Sequence, residues 1–458
     1  MEKICALSVL DGRYAKITEG LQDVFSEYGL IYHRLIVELR WLRFLSEHLG
    51  LFDLSGEEME KIEGIAGAFT PEEALRIKDI EKITNHDVKA VEYYIKEKLD
   101  SLGLSHIREW THFASTSDDI NNTAYALMLK KGIGLILKRC EDLLCAIEKL
   151  AKEGRATPMM GRTHGQPATP TTMGKEMVNF AWRLREEMQS LSKVSIGAKM
   201  NGATGNFNAH VFSFPDKNWI EASKIFLSEY LELTPIIYST QINPNHSISQ
   251  ALHAMIRLAG LFLDLERDMW GYISQGYFRQ QTKAGEVGSS TMPHKVNPID
   301  FENGEGNFGI AVALMGHLAV KLLQSRYQRD LTDSTVLRNL GAVFGYMIIG
   351  CVNTLKGLGK VAIVPERLAE DLEENPELLA EPVQTVMRIY GEENPYEKLK
   401  ELTRGRRMTL DDFAGLIDSL EKVPADVREK MKALTPASYI GLSVELVDHY
   451  FEEYGNAQ

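Results

Sequence analysis

The feature that most constrains this chain is an apolar period of 3.6 residues held over unusually long stretches. From Leu252, apolar residues recur at Met255, Ile256, Ala259, Phe262 and Leu263, which is one face of a helix. Leu258, Leu261 and Leu265 make a second face apolar, so neighbours must cover this helix on two sides. It is predicted to span residues 247–278. Similar runs cover 120–152, 172–193, 300–324 and 334–360, all far beyond the ordinary helix of about 11 residues. Five such helices predict an all-α chain built around an extended bundle. Shorter helices fill the first residues, and Pro365, Pro376, Pro382 and Pro395 punctuate the last part. Three helical domains are therefore expected: 1–115, a central long-helix bundle over 116–362, and 363–458. The best strand signal is 198–214, rich in Gly and Asn, read as a small hairpin or an irregular excursion.

Charge and apolar content narrow the partners. The formal net charge is −13 with no long basic run, which argues against nucleic acid, whose phosphates demand clustered Lys and Arg. The stretch 339–355 carries no charge and holds Gly341 and Gly345 in a G-x-x-x-G spacing. Asn339, Asn353 and a length just under the usual ~20 apolar residues favour a buried helix over a membrane span. The uncharged stretch 308–320 reads the same way, with glycines permitting close helix approach. Cys5, Cys140, Cys145 and Cys351 form no C-x-x-C pair, so neither a disulfide framework nor a zinc site is expected. Few thiols, an acidic balance and the lack of an export signal point to the cytoplasm. Long helices with wide apolar faces also predict a homo-oligomer.

Three polar segments sit at the edges of long helices. In His112-Phe113-Ala114-Ser115-Thr116-Ser117-Asp118-Asp119, the pairs Ser115/Asp118 and Thr116/Asp119 match the capping pattern. That segment reads either as a plain helix cap or as a cap whose N–H groups and hydroxyls bind an anion. Gly161-Arg162-Thr163-His164-Gly165-Gln166-Pro167 holds a histidine beside a cation in a frame of glycines and prolines. His164 is a candidate for proton transfer, the histidine task near neutral pH. Gly288-Ser289-Ser290-Thr291-Met292-Pro293-His294-Lys295-Val296-Asn297 lacks the order of a phosphate P-loop and of a hydrolase elbow. It can place hydroxyls, N–H groups and an ammonium around one anion. The residues thus give an anion site, a candidate acid–base histidine and a serine loop, without naming a reaction.

The third segment closely resembles the G-S-S-x-M-P-x-K-x-N signature of the fumarase/aspartase superfamily. Within it the chain resembles the adenylosuccinate lyase family of the longer bacterial type. The supporting segments span nearly the whole chain: Asp11–Tyr14, Thr84–Lys89, Ser115–Asp119, Arg162–Pro167 and Arg329–Asn339. The resemblance implies a homotetramer with a twenty-helix core and active sites shared by three subunits. It implies β-elimination of fumarate from adenylosuccinate and from the succinylated aminoimidazole carboxamide ribotide, with neither metal nor organic cofactor. His164 then matches the general acid and Ser289 the general base. Lys295 and Asn297 match groups that stabilise the carbanion, and His86 a substrate contact that supports His164. Arg13, Tyr14, Arg329, Ser334 and Arg338 match contacts to the phosphate and its surroundings. Asn85, Asp87, Thr116, Ser117, Gln241, Asn303, Thr335, Val336 and Leu337 match further substrate-binding positions.

Rival readings remain inside the superfamily. Argininosuccinate lyase, fumarase and aspartase tend to carry another residue where His294 stands, whereas carboxymuconate cycloisomerases share Met-Pro-His-Lys. The segments around Asn85–Lys89 and Arg329–Asn339 favour the nucleotide substrate. A catalytically silent helical scaffold would not need His164, Ser289 and Lys295 together.

Overall fold

The computed structural model describes residues 3–281, 292, 295–403 and 408–455. Helices dominate the described residues, as the apolar period predicts. The elements used below are α1 (Glu27–Glu47), α2 (Pro71–Thr84), α3 (Asp87–Ser101), α4 (Ser117–Glu153), α5 (Met173–Ser192), α6 (His246–Ser274), α7 (Ile299–Lys321), α8 (Thr332–Leu337), α9 (Leu340–Leu358) and α10 (Pro365–Glu373). Side chains close the starts of the early helices. Ser26 Oγ accepts from Gly29 N–H at 3.1 Å, and Thr70 caps α2 with Pro71 at its first position.

Four of the five predicted long helices run close to their expected limits. The fifth does not. It breaks into α8 and α9, with Arg338 and Asn339 in a turn between them. Asn339 N–H bonds to Val336 O at 2.9 Å, a three-residue step, and its side-chain amide bonds to Thr335 O at 3.1 Å. An asparagine that satisfies nearby backbone in this way competes with the regular helix ladder.

The chain divides into two compact units. The first comprises Met1–Cys140, Glu187–Leu263 and Asn303–Val352; the second comprises Glu141–Glu186, Asp264–Glu302 and Asn353–Gln458. In the first, α1, α2 and α3 pack around Leu35, Leu42, Ile77, Val91 and Ile95, all 1% exposed or less. In the second, Val383, Met387, Phe413, Ile417 and Leu420 form a separate core near the C-terminal end.

Both uncharged stretches are helical beyond the turn at Asn339; 339–355 is largely enclosed, whereas 308–320 buries one face and leaves another exposed. In α9 and α7, Phe344, Met347, Phe308 and Met315 are fully enclosed. Helix α6 and residues 332–358 are long and apolar enough to cross a membrane, but 61% and 56% of their most apolar windows are buried in protein. The G-x-x-x-G pair permits close approach of the N-terminal segment that holds Leu10 and Phe25. A Cβ on Gly341 would lie 3.0 Å from the Phe25 side chain, and one on Gly345 would lie 3.0 Å from Leu10. Gly350 and Gly357 press on another long helix, α7, against the Phe308 and Phe301 rings.

Strands are few and short among the described residues. Of the predicted 198–214 excursion, only Ala198 pairs, as the end of β3 (Gly197–Ala198), in parallel with Thr234–Pro235 (β4), and Asn208–Ser213 is helical. The longest pair was not predicted: β1 (Pro158–Thr163) and β2 (Gln166–Thr172) form an antiparallel hairpin. Phe278–Gln280 (β5) pairs antiparallel with Val361–Ile363 (β6), so α6 ends four residues before its expected limit.

Candidate functional site

In the second unit, the hairpin sets the position of His164. Thr163 pairs with Gln166, leaving His164 and Gly165 as a two-residue turn with φ of +54° and +74°. Two positive φ values make the mirror-type turn whose twist suits a tight hairpin. Gly165 adopts its value without penalty, and His164 is among the few side chains that tolerate the left-handed region. The histidine is therefore presented at the tip, exposed, and its ring bonds to none of the described residues. The hairpin is held from beneath. Arg162 Nη2 donates to Asp371 Oδ2 at 2.8 Å, and the Tyr277 hydroxyl donates to the same oxygen. Asp371 is 6% exposed, so this anchor sits largely out of water. Burial and the neighbouring Asp371 carboxylate push the Tyr277 hydroxyl up to about 12, keeping it a donor. A cavity of about 630 Å³ adjoins the hairpin, lined among others by Arg162, Lys175, Glu176, Asp268 and Tyr272.

Ser289 lies outside the described residues. Lys295 and Asn297 follow it just before α7. Lys295 is exposed, and its ammonium pairs with none of the described residues; Asn297 is half-buried.

The first unit gathers most of the predicted binding residues into three groups. At the start of α4, Arg329 Nη1 donates to Ser117 Oγ at 3.0 Å and to Gln241 Oε1 at 3.1 Å. Of the two capping pairs, Thr116/Asp119 forms: Asp119 Oδ2 accepts from Thr116 N–H at 2.8 Å. Asp118 instead accepts from Asn243 N–H at 3.3 Å. Burial raises the Asp118 carboxyl to about 6, against the opposing pull of Lys199 and Arg329.

The second group centres on Asp87. Its carboxylate accepts from Arg34 at 2.6 Å and from Arg338 at 3.2 Å, while Arg338 also pairs with Glu27 at 2.7 Å. Burial pushes the Asp87 carboxyl up, but the two arginines outweigh it and hold it below its ordinary value. Asn85, with φ of +50°, ends α2, and His86 opens α3. His86 Nδ1 accepts from Lys89 N–H at 3.1 Å, which leaves Nε2 as the protonated nitrogen of the neutral ring, on an exposed side chain. In the third group, Tyr14 OH donates to Asn303 Oδ1 at 3.3 Å, beside Arg13 stacked over the Tyr14 ring. Ser334 and Val336 are half-buried, Thr335 is exposed and Leu337 is buried, all on α8.

Several polar residues escape sequence reasoning. Lys199 is fully buried against Asp119, although a lone Lys in a Gly/Asn-rich stretch gives no motif. His112 Nδ1 and Glu38 Oε1 lie 2.6 Å apart, with Glu38 also accepting from His112 N–H at 3.1 Å. Buried Arg34, which bonds Asn121 and Asp87, lies in no recognisable motif.

Comparison with known proteins agrees along the chain. Residues 12–316 match a family model described as Lyase, and residues 325–440 match one described as Adenylosuccinate lyase C-terminal. The chain is 50% identical to the adenylosuccinate lyase of Vibrio cholerae, over 98% of this chain and 99% of that one. It is 47% identical to that of Escherichia coli K12, over the same shares. Among solved structures, a fumarate lyase from Mesorhizobium sp. BNC1 superposes with a TM-score of 0.77 at 17% identity, covering 95% of this chain and 97% of that one. The 3-carboxy-cis,cis-muconate lactonizing enzyme of Pseudomonas putida gives 0.76 at 18%, with the same coverage. At such identities these two structures speak to the fold alone.

Proposed function

The chain belongs to the adenylosuccinate lyase family, and from that membership we propose that it eliminates fumarate from succinylated purine precursors. Adenylosuccinate gives AMP, and the succinylated aminoimidazole carboxamide ribotide gives the free carboxamide. Both steps belong to purine nucleotide synthesis in the cytoplasm. The observation that carries this reading is similarity without a break from the first helices to the C-terminal domain, where the muconate enzyme shares only the fold.

The reaction breaks a C–N bond and a C–H bond on adjacent carbons. Ser289 removes the proton next to a carboxylate, and the electron pair moves into that carboxylate as an aci-anion. The C–N bond then breaks, and His164 delivers a proton to the departing nitrogen. A serine is a poor base unless its alkoxide is stabilised, a task suited to Lys295 and to N–H groups of its loop. Lys295 and Asn297 oppose the extra charge of the intermediate. His86 presents Nε2–H to the substrate. Arg13, Tyr14, Arg329, Ser334 and Arg338 hold the phosphate and its surroundings, where guanidinium forks suit phosphate oxygens. Asn85, Asp87, Thr116, Ser117, Gln241, Asn303, Thr335, Val336 and Leu337 contact the rest of the substrate. No step changes oxidation state, so the scheme calls for no redox cofactor.

An assay of purified protein with adenylosuccinate tests the reading directly. AMP and fumarate are expected in equal amounts; no release at high enzyme concentration would end the proposal.

The assembly proposed is a homotetramer with shared sites, built on the domains 1–115, 116–362 and 363–458. Its support is the exposed stripe of α7: Gly306, Ile310, Ala313, His317 and Val320 recur at helical spacing with no Asp, Glu, Lys or Arg among them. A largely apolar stripe of this kind on a lone chain calls for a partner surface. Light scattering at micromolar concentration is expected to give four times the 51.6 kDa chain mass. Ala313→Arg is expected to lower that mass; a monomeric wild type would contradict the shared-site model.

A further inference from the structure

Four of the residues assigned to substrate binding are joined by one closed circuit of hydrogen bonds. Arg329 donates to Ser117 Oγ and to Gln241 Oε1 at 3.0 and 3.1 Å. Gln241 Nε2 donates to Ala203 O at 3.0 Å. The adjoining Gly202 N–H donates to Asp119 Oδ2 at 3.1 Å, and Thr116 N–H donates to the same oxygen at 2.8 Å. Thr116 precedes Ser117, which closes the loop. Asp119 is the one member of this circuit that is both charged and fully buried. Its second oxygen accepts from Asn201 N–H at 3.0 Å and from Lys199 Nζ at 2.9 Å, and Lys199 is itself fully buried. Asn201 in turn ties the segment to Ser239 Oγ at 2.8 Å, two residues before Gln241.

We propose that Asp119, paired with Lys199, is the positioning residue of the anion-binding wall formed by Thr116, Ser117, Gln241 and Arg329. It touches no substrate. One carboxylate gathers N–H groups from two segments more than eighty residues apart in sequence, 116 and 201–202, and so fixes the wall before a ligand arrives. Only a carboxylate does this. It offers two oxygens and accepts from several donors, whereas an amide offers one oxygen and turns its NH2 toward donors. Lys199 supplies the opposite charge that a buried carboxylate needs. A preset wall spends less ordering entropy when it binds, so the pair acts on affinity rather than on the chemical step.

The proposal rests on the lyase reading and is tested beside it. Wild-type turnover of adenylosuccinate decides that reading; the variants decide this one. Asp119→Asn is expected to raise KM for adenylosuccinate and Kd for AMP at least tenfold, with kcat within threefold, the pattern of lost uniform binding. That variant strands the buried Lys199 cation and loses stability on that account. Asp119→Asn/Lys199→Met removes both charges, so Tm is expected to recover toward wild type while KM and Kd stay high. AMP binding by calorimetry reads the wall even where turnover is absent. A double variant that folds and binds AMP within twofold of wild type would overturn the positioning role. So would a fall in kcat equal to the fall in kcat/KM, which would place Asp119 in the chemical step.

Discussion

Replacing His164 with glutamine is expected to lower kcat by at least ~10²-fold while substrate still binds. The expectation follows from where the side chain sits and from what it lacks. His164 occupies a hairpin tip in a left-handed conformation, exposed and bonded to none of the described residues. A structural histidine would be tied into the hairpin, but that anchor is Arg162 with Asp371 and Tyr277. Glutamine keeps the length and hydrogen-bonding capacity yet cannot deliver a proton, so binding survives and proton transfer does not. Ser289→Ala is expected to cost as much, since the partner proton must leave carbon. The two losses should not add. In the proposed scheme acid and base serve one elimination, so the double variant is expected to be little slower than the worse single one. A positioned acid or base contributes about 10²–10⁴-fold, and enzymes commonly exceed 10⁶-fold. The remainder falls to electrostatic stabilisation of the intermediate, the task proposed for Lys295 and Asn297. Steady-state kinetics with calorimetric substrate binding checks this; near-normal kcat in either variant removes that residue from its role.

The parts of this molecule that were readable from sequence share a physical cause. A 3.6-residue apolar period survives any tertiary arrangement, because burial of a helix face demands it. That is why α4, α5, α6 and α7 run within a few residues of their expected limits. Where a polar side chain overrides the ladder, the period misleads, as at Asn339, which bends the predicted fifth helix into two. The hairpin under His164 was invisible for a related reason. Its turn is His-Gly rather than the Asn-Gly or Asp-Gly that signals such turns, and Pro167 and Pro170 demote a strand reading. The candidate site divides the same way. Motif-bearing residues such as His164 and Arg329 could be named from the chain. The pairings that hold them could not, since Ser117 and Arg329 meet across 212 residues of sequence. Lys199 illustrates the limit: nothing in its neighbours announces a fully buried ammonium, and only the placement of Asp119 gives it a purpose.

Acid is expected to destabilise the protein between pH 6.5 and about 4, and His210→Phe to remove a large share of that loss. His210 is 1% exposed, and neither ring nitrogen has a hydrogen-bond partner among the described residues. The ring lies among Trp41, Phe113, Phe207 and Trp219, at centroid distances of 4.9 to 6.5 Å. Burial drives its pKa down to about 4; Asp119 pulls it up and Lys199 pushes it further down, neither enough to reverse burial. His33 behaves alike: 1% exposed, Nδ1 at 2.6 Å from Gly29 O, Nε2 without a partner among the described residues, and lowered to about 4 by burial first. The sign follows from proton binding. The unfolded chain takes up these protons near pH 6.5, while the folded chain resists until about pH 4, so the unfolded state gains protons first. Stability is therefore complete above pH 6.5 and is lost as pH falls through the folded value. A shift of this size is worth on the order of 3 kcal/mol per histidine, at about 1.4 kcal/mol per pKa unit. Phenylalanine keeps an aromatic ring in an aromatic cage and drops two unsatisfied nitrogens, so its stability at neutral pH should not fall. Subtracting the two urea-unfolding curves at each pH cancels carboxylates common to both proteins. The difference is expected to grow steadily in favour of His210→Phe from pH 6.5 to 4 and then level off. Parallel curves across that range would show that His210 gains its proton without disturbing the fold.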